Sequence, residues 1–141
     1  MRRSLLLTVA IVGVLAGTAL AAEKNGITPL APKAGSAVKA GRSPVFRMRV
    51  EGPGTVWVHV CRRAKRRADG TICSDSSIGQ ARKVGGEFRY RPKFYDYDSF
   101  WLNVPGTYYW QAHRIDCAGG TADCRQEGPV VRFRVVAPAR R

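Results

Sequence analysis

The sequence predicts an all-β protein arranged as a seven-stranded, two-sheet sandwich, and three observations carry that expectation. Apolar and polar side chains alternate with a two-residue period at Phe46–Val50, Thr55–Cys61, Glu87–Arg91, Tyr108–Ala112 and Val131–Val135, the pattern of strands with one buried face. Between them stand Glu51-Gly52-Pro53-Gly54, Gly85-Gly86 and Pro105-Gly106, residues that preset or permit the dihedrals of tight turns. No helical period appears outside Leu5 to Leu20.

That first apolar run follows Arg2-Arg3 and ends in Ala19-Leu20-Ala21. A basic start, an apolar middle and small residues before a cut describe a secretory signal peptide, residues 1–21. A membrane span needs about 20 apolar residues, and this run is shorter and carries Gly13 and Gly17. The expected location is therefore secreted, extracellular or in the periplasm or cell envelope, with no span left after cleavage. Residues 22–137 form the expected domain and 138–141 a basic tail. Removing Arg2 and Arg3 lowers the formal charge from +14 to +12. Such a field concentrates polyanions and speeds encounter with them without bearing on fold.

From Glu23 to Gly41, Pro29, Pro32 and Gly35 suggest an extended entry with edge pieces at Ile27–Leu30 and Ala37–Ala40. Phe46, Met48 and Val50 then face inward and Arg47 and Arg49 outward. In Thr55–Cys61 three valines share one face, and Trp57, His59 and Cys61 the other. Residues 62–80 read as a long loop. Ala81–Val84 is a short strand, and Glu87–Arg91 another, with Phe88 and Tyr90 inward and Arg89 and Arg91 outward. After the turn at Pro105-Gly106, Tyr108, Trp110 and Ala112 fall on one face and Tyr109, Gln111 and His113 on the other. Ile115–Gln126 closes a hairpin, and Gly128–Val136 forms the last strand, with Val131, Phe133 and Val135 inward.

The segment Leu102 to Tyr108, with Pro105-Gly106-Thr107 before a Tyr-Tyr-Trp run, resembles the entry to the penultimate strand of fibronectin type III and related immunoglobulin-like domains, most closely those of bacterial secreted proteins. The resemblance implies that the hydroxyl of Tyr108 bonds back to nearby backbone. It also bears on the four cysteines, which secretion favours as disulfides. In the resembled fold the strands carrying Cys61 and Cys117 are antiparallel neighbours, so the two sulfurs sit at opposite ends of the sheet, about 20 Å apart. That implies the local pairs Cys61–Cys73 and Cys117–Cys124. A four-cysteine zinc site is the rival, with gaps of eleven and six residues unlike the short spacings of zinc ribbons.

Three surfaces are candidates for binding. Arg62, Arg63, Lys65, Arg66 and Arg67 crowd into the loop between Cys61 and Cys73. Tethering that loop removes about 3 kcal/mol of chain entropy in the loop-closure model, so it is either a clamped polyanion-binding loop or a solvated insertion held off the sheet by like charge. In the resembled fold Arg47, Arg49, Arg89 and Arg91 share an exposed face, a second polyanion site. The third is the aromatic crossing from Pro92 to Trp101. There Tyr95, Tyr97 and Trp101 with Asp96 and Asp98 have the rings and acceptors of a glycan platform, while Phe94, Phe100 and Trp101 would equally cap the core. A mixed outer face of Trp57, His59, Tyr109, Gln111, His113, Arg132 and Arg134, both histidines exposed, completes the inventory.

Nothing in the chain matches a nucleophile elbow, a zinc-binding His-Glu pair or a phosphate-cradling loop, so the expectation is a non-enzyme without cofactor or metal. The leading expectation is an adhesion or interaction module for an anionic or glycan surface polymer, with another envelope protein as a further kind of partner. The alternatives are a structural envelope component retained by charge alone and a secreted nucleic-acid binder. Secretion and the lack of a groove-reading element count against the last. The oligomeric state is not legible.

Overall fold

The computed structural model describes residues 22–65, 77–92, 102–117 and 124–139, and there the alternating segments pair into nine strands. These are β1 (Ile27–Ala31), β2 (Ala37–Lys39), β3 (Phe46–Val50), β4 (Thr55–Cys61), β5 (Ser77–Gln80), β6 (Arg82–Val84), β7 (Glu87–Tyr90), β8 (Gly106–Ile115) and β9 (Arg125–Val136). No α-helix occurs among the described residues, and none of their segments is a helix long and apolar enough to cross a membrane. The signal segment lies outside the described residues.

Nine strands replace the expected seven. One sheet runs β1-β3-β7-β6, antiparallel throughout; the other runs β2-β9-β8-β4-β5, with β2 parallel to β9 and the rest antiparallel. The entry segment therefore serves both sheets, β1 edging the first and β2 the second. Likewise the stretch read as loop through residue 80 ends in β5, which pairs with β4. Between β5 and β6 stands Ala81 alone. It is buried, its N–H donates to the carbonyl of Val56 at 2.8 Å, and the chain changes sheet there.

Apolar side chains of both sheets meet in one core. Phe46 from β3 packs edge-on against Trp110 of β8 at 5.5 Å and Phe133 of β9 at 6.0 Å between ring centroids. Phe46, Val58, Tyr108, Trp110 and Phe133 are all fully buried, and each such side chain contributes roughly 1.5–3 kcal/mol. The polar atoms taken in with them are satisfied. The Trp110 indole N–H donates to the carbonyl of Pro32, at the crossing between β1 and β2. The Tyr108 hydroxyl donates to the carbonyl of Val104 at 2.9 Å, fixing the turn that launches β8. Burial raises the Tyr108 phenol above its ordinary pKa, against a smaller lowering by Arg62, so its O–H is kept as a donor.

Glycine marks two close approaches. A Cβ at Gly79 of β5 would collide with the Tyr90 ring from the other sheet, and one at Gly128 would lie 2.6 Å from Cγ2 of Ile27. Gly128 also belongs to a bulge: β8 and β9 pair in register up to Gln111–Val130 and resume at His113–Glu127, so Gly128 and Pro129 stand opposite Ala112. The Gln111 side-chain amide donates to the Gly128 carbonyl at 3.0 Å, satisfying an acceptor the bulge removes from the ladder. The last strand thus begins at Arg125, three residues before the expected start. At the far end of this hairpin Cys117 and Cys124 form a disulfide, as the resemblance implies. Cys61 is fully buried and in disulfide form; Cys73, its expected partner, lies outside the described residues.

Candidate polyanion interface

Alternation builds the outer face of the four-stranded sheet. Phe46, Met48 and Val50 of β3 and Phe88 and Tyr90 of β7 pack on the core, which turns Arg47, Arg49, Glu87 and Arg89 outward. The register sets Arg47 opposite Arg89, and Arg89 opposite Arg82 of β6, so three guanidinium-bearing residues form one row across the sheet. Arg49 stands on the same face of β3 opposite Thr28, and Arg91, directly after β7, is exposed.

Like charges facing across strands cost up to about 1 kcal/mol per pair, and Glu87 relieves the worst of it. Arg47 donates to both carboxylate oxygens, Nε to Oε2 at 2.9 Å and Nη2 to Oε1 at 2.7 Å, and Arg89 Nε lies 3.5 Å from Oε2. The hydrogen bond from Arg47, helped by the charges of Arg47 and Arg89 and opposed by desolvation, holds the Glu87 carboxyl below its ordinary pKa. The same hydrogen bond raises Arg47. Four arginines on strand positions of this face, Arg47, Arg49, Arg82 and Arg89, against the one carboxylate of Glu87 leave three positive charges in excess, and Arg91 stands just beyond β7. Arg49, Arg82 and Arg91 pair with no described carboxylate. Guanidinium groups match carboxylate, phosphate and sulfate with two parallel N–H donors, so the exposed members are free to take such groups from outside.

The other candidates fare differently. Arg62, Arg63 and Lys65 are exposed at the end of β4, with the Arg62 guanidinium 5.7 Å from the Tyr108 ring centroid; Arg66 and Arg67 lie outside the described residues. So do Tyr95, Asp96, Tyr97, Asp98 and Trp101, and with them the glycan platform. Among the described residues no three His, Cys, Asp or Glu side chains gather as a metal ion requires.

The outer face of the five-stranded sheet corrects an expectation. Arg132 and Arg134 are exposed, but His59, Gln111 and His113 are 5%, 2% and 4% exposed. The two imidazoles lie with centroids 4.4 Å apart, and Arg125 Nη2 is 3.3 Å from His59 Nε2. Since a guanidinium only donates, Nε2 is the acceptor in that contact. Because β8 lies between β9 and β4, the Arg125 side chain crosses β8 to reach His59, and Glu127 stands beside His113 in the register. The histidines belong to a buried polar cluster instead of an open ligand face. Gly128-Pro129 inside an apolar strand was the available signal, since that pair marks a bulge and lets the strand continue back to Arg125. Arg82 was also legible: a two-residue turn at Gly85-Gly86 fixes its register with Arg89.

No protein-family model matches the chain, and comparison with curated proteins gives no match either.

Proposed function

We propose that the protein is a secreted, non-catalytic interaction module that binds a linear anionic surface polymer through the arginine face of its four-stranded sheet. The observation that carries this reading is the row Arg47–Arg89–Arg82, flanked by Arg49 and Arg91 and only partly neutralised by Glu87. A surface that merely needed solubility would not set like charges in register across three strands, where they repel. The strand order of the two sheets, their shared aromatic core and the Tyr108 to Val104 hydrogen bond support an immunoglobulin-like sandwich as scaffold. The Cys117–Cys124 disulfide favours an oxidising compartment, in line with the signal-like segment at 1–21.

Affinity for heparin and for polygalacturonate tests this, the first carrying sulfates and the second only carboxylates. Replacing Arg49, Arg82 and Arg91 together by Gln should lower both affinities at least tenfold and flatten their salt dependence, with the melting temperature unchanged. Equal affinity in the folded variant refutes the assignment of the face. Tighter binding of a short DNA duplex than of either polysaccharide would identify a nucleic-acid binder instead.

A further inference from the structure

We infer that the protein is bivalent, a bridge that holds two anionic polymer chains at once, one on each side of its two sheets. This rests on the polymer-binding reading above. Its basis is the direction in which two sets of cations leave the core. On β3, Arg47 and Arg49 alternate with Phe46 and Met48; on β9, Arg132 and Arg134 alternate with Val131, Phe133 and Val135, all core residues. Phe46 and Phe133 touch across the interior, ring centroids 6.0 Å apart. Side chains that alternate with them along their strands therefore point away from each other, to opposite surfaces of the molecule.

The second surface is a site in its own right. Arg134 pairs with Thr107 on one side and Ala37 on the other, and Arg132 with Tyr109, so no carboxylate faces either arginine in the ladder. On β2, Val38 packs on the core and Lys39 is exposed, which puts a third cation diagonally beside Arg134. Half-buried Tyr109 offers a ring next to Arg132, an apolar contact for a sugar between its charged groups. A single polymer strand cannot lie flat on both faces, because a core about 10 Å thick separates the sheets. Two strands can, and the protein then links them. Two weak, charge-driven contacts on one rigid body convert into firm retention in a polymer network, since release of one leaves the other in place.

A sulfated tetrasaccharide of heparin is close to the roughly 17 Å length of the five-residue strand β3 and short enough to occupy one face, so calorimetric titration reads the number of faces directly. The wild-type protein should bind two per molecule. The variant K39Q/R132Q/R134Q should bind one, with the remaining affinity changed less than threefold, and R49Q/R82Q/R91Q should also bind one. In a capture assay, wild-type protein should recruit fluorescent heparin to heparin-coated beads, and either triple variant should recruit at least tenfold less. These side chains are exposed, so unchanged melting temperatures certify folding. One tetrasaccharide per wild-type molecule, or undiminished capture by K39Q/R132Q/R134Q, overturns bivalency and leaves the single-face reading standing. No binding of the tetrasaccharide or of heparin by the wild-type protein overturns the polymer-binding reading itself, and bivalency with it.

Discussion

Glu87 accepts two hydrogen bonds from Arg47 while lying 3.5 Å from Arg89, so a single carboxylate damps the repulsion in a row of arginines. Its folded pKa is depressed, chiefly by the Arg47 hydrogen bond. The stabilisation is therefore present above the unfolded value and disappears as pH falls through the folded one. Glu87→Gln should melt below wild type at pH 7, and the two curves should converge as the pH drops below 4.5. At pH 7 the same variant should bind heparin more tightly, since Arg47 and Arg89 become available. Weaker binding would mean that Glu87 positions the arginines for ligand.

Tyr108→Phe removes the donor that a buried ring supplies to an exposed turn. The Val104 carbonyl loses the partner it holds at 2.9 Å, and such losses cost about 1–2 kcal/mol. Urea denaturation should show a lower midpoint at an unchanged slope. A neutral substitution would mean that the turn at Pro105-Gly106 holds itself.

His59 and His113 are predicted to act as a unit. With rings 4.4 Å apart and both buried, each single Ala variant should cost about 1–3 kcal/mol. The double variant should cost less than the sum by about 0.5 kcal/mol or more, as contacting residues in one network do. Strict additivity in the cycle would show two independent side chains.

At Gly79 the space for a side chain is already filled by the Tyr90 ring. Gly79→Val should destabilise by roughly 1–3 kcal/mol through overpacking, although valine favours strands more than glycine does. The companion Tyr90→Ala, which opens that space, should rescue part of the loss in a double variant, read as melting temperature. Failure to rescue would place the clash elsewhere.

Much of this architecture is legible in the sequence because alternation is a local property. Phe46, Tyr108, Trp110 and Phe133 announce a buried face by their spacing alone, and the arginines between such residues inherit the other face. Partnership is a different matter. Nothing local to Ala37–Lys39 says that β2 runs parallel to β9, and a lone Ala81 does not advertise a change of sheet. The buried histidines escaped for the same reason, since the contact His59 makes with Arg125 comes from two strands away, on the far side of a bulge. Glu87 was visible as a residue, but its role depends on a diagonal reach to Arg47 that only the register supplies.

Because β5 and β6 are joined through Ala81 alone, the outermost strands of the two sheets share one hinge with no slack. Peeling β5 from β4 pulls on β6, and with it the Arg82 end of the charged row. Amide exchange at both margins should rise together under mild denaturant, as in a single cooperative opening unit. A polymer seated across Arg82 and Arg89 would then slow exchange at β5, a strand it never touches.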